Sequence, residues 1–202
     1  MKIDNSKRPS VKLRRAFFHK DTKIPAAEKK HKYYVLKMSW DQADDIGKEI
    51  LSVVEEDEFL KNVLIRPIEE KDEENFIRAY NRAFITAPDP YRSLSLEDFK
   101  LFDPKSTFVA IIYGRIVGFI FLTIEDLIKN SEVLGKQGVI AGLGVDPRYR
   151  RRKIAFLLAA QAATYFSKNC VDELVCEVYY LNKVSYSFIQ NFGMTRTGTI
   201  YL

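Results

Sequence analysis

The residues from Val145 to Ala155, VDPRYRRRKIA, are the ones whose types and spacing point most directly to chemistry. An apolar, strand-like segment ends at Pro147, which cannot donate to a β-ladder. Four consecutive basic residues, Arg150, Arg151, Arg152 and Lys153, then lead into the alanine-rich helical stretch IAFLLAAQAA. A turn that feeds straight into a helix aims several unpaired backbone N–H groups at one point, and the helix dipole adds partial positive charge there. Such a place suits a phosphate or pyrophosphate, and cationic side chains reinforce it. The competing readings are a solvated basic helix start and a patch for nucleic acid. Gly142 and Gly144 flank Leu143 just upstream. Two glycines are costly in a central strand unless a bulge or a close ligand approach requires them.

The charge distribution bears on that choice. The net charge of +5 is uneven: residues 1–40 carry 12 Lys/Arg against 3 Asp/Glu, and the remaining 162 carry 20 against 24. The basic character therefore belongs to the N-terminal segment, while the rest is slightly acidic, and on charge alone the turn reads as a solvated basic helix start. No apolar run nears the ~20 residues that cross a bilayer, so no membrane role is expected and a cytoplasmic location is. Cys170 and Cys176 lie far from both histidines, and neither a zinc site nor a disulfide is expected.

The elements that must position these residues follow from periodicity and caps. HKYYVLKM (31–38) reads as a strand, and Ser39 with Gln42 as the capping box of a helix carrying Ile46, Ile50, Leu51 and Val54 on one face. VLIRPI (63–68) reads as a strand, and Asp72 as the cap of a helix whose Phe76, Tyr80, Ala83 and Phe84 share a face. TAPDPYRS is a loop, SLEDFKLF a short helix entered through Ser95, and 106–126 two strands joined at Gly114-Arg115. A strand at about 137–145, a helix at 153–168 and the strand ELVCEVYY suit a parallel crossover. A helix closed by Gly193 and the strand TRTGTIYL follow. The expected class is α/β (α+β), divided into a basic N-terminal extension with one strand and one helix (1–62) and a domain over 63–202.

The turn also resembles the phosphate-binding motif of the GNAT superfamily of N-acetyltransferases: Val145, Pro147, Tyr149, Arg150, Ile154 and Ala155 match it, while Lys153 stands where glycine is usual. EVYYLNKVSYSFIQNFGM is similar to a second family segment, through Glu177, Val178, Asn182, Phe188 and Gly193. The resemblance implies a mixed, mostly antiparallel sheet with splayed central strands and flanking helices. It implies acetyl-CoA as cosubstrate and no metal. Backbone groups of Leu143, Gly144 and Val145 would hold the pantetheine arm, and those of Arg150, Arg151, Arg152, Lys153, Ile154 and Ala155 the pyrophosphate. Asn182 would contact the cofactor, and Glu177 would be the base that deprotonates the acceptor amine. The family's acid tyrosine falls on Ile189, so Tyr186, one turn earlier, is the candidate acid. A residue at 153 already within the first helical turn would need no positive φ, and its lysine would add a phosphate contact.

The function this implies is transfer of an acetyl group to a primary amine, either a protein N-terminus or a small molecule. Two alternatives stand beside it: an acetyl-CoA-binding module without catalysis, and a nucleic-acid-associated protein acting through residues 1–30. The family's sheet usually continues through a strand beyond the one at which this sequence stops, so residues 33–38 or a partner chain are expected to supply one. A homodimer is left open.

Overall fold

The computed structural model describes residues 31–129 and 132–201; the basic segment 1–30 and the nucleic-acid reading attached to it lie outside them. The strands are β1 (Lys32–Ser39), β2 (Leu64–Pro67), β3 (Thr107–Ile112), β4 (Arg115–Lys129), β5 (Glu132–Val145), β6 (Glu173–Tyr179) and β7 (Thr195–Tyr201). The helices are α1 (Trp40–Glu55), α2 (Glu73–Ile85), α3 (Ile154–Lys168) and α4 (Lys183–Asn191). One seven-stranded sheet runs β2-β3-β4-β5-β6-β1-β7, antiparallel throughout except for β5 and β6, which the α3 crossover joins in parallel.

Local chemistry accounts for most boundaries. Ser39 Oγ accepts from Gln42 N at 3.4 Å and Gln42 Oε1 accepts from Ser39 N at 3.4 Å, closing the capping box of α1. Asp72 sits at the start of α2, but its carboxylate does not cap the helix. It takes a two-pronged bond from Arg66 at 2.6 and 2.8 Å and one from Glu69 N. SLEDFKLF forms a 3-10 helix, Leu96–Leu101, entered through a Ser95–Asp98 capping box. The β3–β4 hairpin turns at Tyr113 and Gly114, one residue before the expected pair. Both have positive φ (47° and 73°), as the two-residue primed turn requires, and Tyr113 projects into solvent.

Side chains alternate across the sheet and divide the core in two. On one face Leu36, Ile120, Leu122, Leu174 and Cys176 pack with Leu158, Ala162 and Phe166 of α3 and Ala43 of α1. On the other, Val109, Phe119 and Phe121 pack with Phe76, Tyr80 and Phe84 of α2 and with Phe102. Tyr80, Phe76 and Phe119 are completely buried, and full burial of such a ring contributes about 1.5–3 kcal/mol.

The strand at 33–38 is supplied to the sheet from within the chain. β1 lies between β6 and β7, antiparallel to both, with Val35 opposite Glu177 on one side and Gly198 on the other. The strand and helix assigned to the extension thus share a sheet and a core with the C-terminal elements.

Candidate active site

β5 and β6 are hydrogen-bonded only over Gln137–Ile140 and Glu173–Cys176. Beyond that point they part: Gly142 to Val145 remain paired with β4, while Glu177 to Tyr179 remain paired with β1. A wedge opens between the carboxyl ends of two parallel strands, where α/β sheets place ligands. Its inner edges present backbone N–H and C=O groups that a ligand can pair.

Gly142 and Gly144 lie along this opening, and their side-chain face does not admit a ligand. A Cβ at Gly142 would lie 2.0 Å from Phe121 Cζ, and one at Gly144 would lie 2.3 Å from Phe119 Cζ. The cross-strand rings lie over the glycines and fill the space their side chains would take. The pairing of β4 with β5 shifts register between Phe121 and Leu122, a bulge next to Gly142.

The turn after β5 is built by Asp146, which is 3% exposed. Its carboxylate accepts from Arg148 N at 3.0 Å and from the Arg148 guanidinium at 3.2 and 2.9 Å, and Arg82 approaches at 3.5 Å. The Arg148 side chain, foremost, holds the Asp146 carboxyl below the usual carboxylate range. Arg150 donates to Val145 O at 3.1 Å and to Ala83 O at 2.8 Å, tying the end of β5 to the last turn of α2. Its guanidinium is thereby occupied by carbonyls, and what it leaves at the turn is its backbone.

Arg151 (φ 63°) and Lys153 (φ 57°, ψ 9°) are both left-handed. The expectation that residue 153 needs no positive φ is therefore overturned. Lys153 is the N-cap of α3 and takes the left-handed conformation that makes glycine usual there. Its side chain turns to Asp57 at 3.0 Å, an ion pair that, with burial opposing it, lowers the Asp57 carboxyl. The ammonium from which a phosphate contact was expected here pairs with Asp57, in the segment after α1. Arg152 lies over Phe59 (5.2 Å) and Tyr149 (5.9 Å). Ile154 and Ala155 open α3, where amides have no carbonyl one turn back.

Asn182 is the N-cap of α4 and 8% exposed. Its Oδ1 accepts from Ser185 N at 3.0 Å, and its Nδ2 donates to Asp89 Oδ2. Asp89, between two prolines in the loop after α2, carried no signal in the sequence, and its partner is 93 residues away. Burial, ahead of the opposing Asn182 bond, raises its carboxyl above the usual range. Its charge is also felt at the Tyr179 and Tyr80 hydroxyls, both raised chiefly by burial.

Glu177 is half-buried on β6. Leu174, Cys176 and Val178 belong to the core beneath α1 and α3, so alternation puts Glu177 on the α2 face, with Tyr179, Tyr33 and Val35. Tyr186 lies on the opposite face, its ring 5.4 Å from that of Tyr34. Ile189 faces an apolar cavity of about 60 Å³ whose lining includes Ile140, Leu143, Leu174 and Phe188. Phe156, Phe188 and Phe192, with centroids 4.7–5.7 Å apart, fasten α4 to α3 beside it. Among the described residues no group of three or more His, Cys, Asp or Glu side chains could hold a metal, and no helix is long and apolar enough to cross a membrane.

Comparison with known proteins places these features. No curated protein matches the sequence. The aminoglycoside 6'-N-acetyltransferase AAC(6')-Ih of Acinetobacter baumannii is similar at 18% identity, over 67% of this chain and 92% of that one, with a TM-score of 0.55. The ribosomal-protein-S18-alanine N-acetyltransferase of Escherichia coli is 18% identical over 67% of this chain and 79% of that one (TM-score 0.53). The aminoglycoside N-acetyltransferase AAC(6')-Iy, solved in complex with CoA, is 20% identical over 67% and 90% (TM-score 0.53). At such identities these likenesses establish the fold. The model of the acetyltransferase (GNAT) family matches residues 69–194, more than half of the sequence and including both the wedge and the turn. The chain therefore belongs to the GNAT family, and it is an acyltransferase enzyme.

Proposed function

We propose that the protein transfers the acetyl group of acetyl-CoA to a primary amine by direct attack. The observation that carries this is the wedge between β5 and β6 leading to the turn with two left-handed residues at the head of α3. The residues fit the cosubstrate: Leu143, Gly144 and Val145 offer main-chain groups along one edge to an amide-bearing arm. The backbone of Arg150 to Ala155 forms a concave run of amides at a helix start, which suits a pyrophosphate. Arg151 and Arg152 are exposed beside it and add charge. Asn182 retains a second amide hydrogen for the cosubstrate.

An alkylammonium with a pKa near 10 must lose a proton before it attacks. In this reading Glu177, half-buried at the end of β6, accepts that proton. The amine nitrogen bonds to the thioester carbon, and the C–S bond then breaks. The thiolate leaves with a conjugate pKa near 8.5, so the help of Tyr186 as an acid is modest and its absence is survivable. The acceptor is a small amine or a peptide N-terminus. One experiment tests this transfer. Acetyl-CoA is titrated calorimetrically, and thiol release is then followed over a panel of amines with wild type and Glu177→Gln. Micromolar binding with amine-dependent thiol release, reduced about 10²-fold or more in Glu177→Gln, is expected. Binding without release from any amine would refute the proposed transfer.

A further inference from the structure

The segment between α1 and β2 reaches the turn at two points. Lys153 Nζ lies 3.0 Å from Asp57 Oδ2, and the Arg152 guanidinium lies 5.2 Å from the centre of the Phe59 ring. Consecutive residues of the turn thus rest on alternate residues of one short stretch, and that stretch is itself fixed. Asp57 Oδ1 accepts from Phe59 N at 3.1 Å, Leu60 N donates to Asp57 O at 2.9 Å, and the Leu60 side chain is buried in the core shared with α3. The carboxylate is therefore aimed by its own backbone, independently of Lys153.

Lys153 needs such a partner. Its φ of 57° is one that a residue with a side chain adopts at a cost and glycine adopts freely. The Lys153 carbonyl accepts from Phe156 N at 2.9 Å and from Leu157 N at 3.3 Å. The conformation at 153 therefore sets the first bonds of α3 and the direction of the Ile154 amide that follows it. Asp57 and Phe59 precede residues 69–194, over which the family model matches, so the brace comes from outside the stretch that carries the family's motif.

We propose that Asp57 is a positioning residue for the cosubstrate: by holding the Lys153 ammonium it keeps residue 153 left-handed and the amides at the start of α3 aimed at the pyrophosphate. This rests on the acetyl-CoA reading above. Phe59, against Arg152, braces the preceding residue in the same way. A lysine at 153 is compatible with the cradle because a carboxylate from the segment after α1 supplies the restraint that a glycine would not need. The lysine ammonium is committed to that carboxylate, which leaves the phosphates to the main chain.

The test titrates acetyl-CoA calorimetrically into the full chain as wild type, Asp57→Asn, Asp57→Glu, Lys153→Gly and Asp57→Asn combined with Lys153→Gly. Amide NMR spectra of the same proteins are recorded without cosubstrate. Asparagine keeps an oxygen for Phe59 N but removes the charge. The ion pair is partly exposed, so Asp57→Asn should weaken acetyl-CoA binding by about three- to fivefold, and Asp57→Glu by less. In the Lys153→Gly background the same change should alter affinity by less than about 1.5-fold, because glycine holds the conformation unaided. In the free protein the amides of 151–155 should shift in Asp57→Asn and stay in place when the change is made beside Lys153→Gly. An equal loss of affinity in both backgrounds would make Asp57 a support of its own segment and overturn the proposal. Unchanged affinity in Asp57→Asn would also overturn it, and so would tighter binding, which would mean that Asp57 withholds Lys153 from the phosphates. All three outcomes leave the acetyl-CoA reading intact. Wild type that binds no acetyl-CoA would overturn both.

Discussion

Replacing Arg150 by alanine separates a structural role at the turn from a cosubstrate-binding one. The guanidinium makes two charge-assisted hydrogen bonds, to Val145 O and Ala83 O, and so joins the end of β5 to the last turn of α2. Bonds from a charged donor contribute about 1.5–3 kcal/mol each, and because the residue is largely exposed the low end applies, giving about 3 kcal/mol for the pair. For a chain of this size each kcal/mol shifts Tm by roughly 2–4 °C, so Arg150→Ala should melt about 6–12 °C lower. In the proposed reading backbone amides supply the pyrophosphate site, so acetyl-CoA affinity at a temperature where the variant is folded should fall by less than about tenfold. Differential scanning calorimetry and isothermal titration on the same preparations measure both. An unchanged Tm with abolished acetyl-CoA binding would refute the reasoning, because it would make the guanidinium a phosphate ligand and its carbonyl bonds incidental.

Further outcomes follow from other contacts. Gly142→Ala places a methyl within 2.0 Å of the nearly buried Phe121 ring, which is held by Phe102 (5.4 Å) and Phe119 (6.3 Å). Overpacking of this kind should cost about 1–3 kcal/mol in denaturant unfolding, and a neutral result would mean that the rings move freely. Lys153→Gly relieves a left-handed conformation worth roughly 1–2 kcal/mol and adds about 0.5–1 kcal/mol of unfolded-state entropy. The exposed Asp57 pair lost with it contributes little, so stability should change by less than about 1 kcal/mol while acetyl-CoA binds severalfold more tightly by calorimetry. Asp72, Asp98 and Asp146 are held below their ordinary value of 3.8, each chiefly by an arginine side chain. Their depressed carboxyls contribute stability that is fully present above pH 3.8 and lost as pH falls through the folded values, so Tm should decline steeply below about pH 4. Arg92→Gln should shrink the part of that decline due to Asp98.

The amino-acid sequence determined the elements and the basic turn before α3 because those depend on neighbours close along the chain. The Ser39–Gln42 box, the alternating strands, Pro147 after β5 and the basic run into α3 are all local signals, and their order matched a family pattern. Residue-level expectations failed where the chain's long-range contacts decided the outcome. Whether Lys153 is helical or left-handed depends on how the turn closes onto Asp57 and the end of β5, which periodicity does not report. Arg150 was legible as a cation at the turn before a helix, but its carbonyl partners include one 67 residues away. The glycines signalled a special backbone, and only the register of β4 on β5 revealed that two phenylalanine rings fill their side-chain space. Asp89 was invisible for the same reason: an aspartate between prolines is ordinary turn chemistry, and it becomes a candidate site residue only because the fold sets it against Asn182. The insertion of β1 between β6 and β7, which completes the sheet beside the wedge, likewise depends on pairing between the two ends of the described chain. Caps, turns and periodicity act over a few residues, whereas the direction of a side chain and the company of a charge are set by packing across the whole sheet.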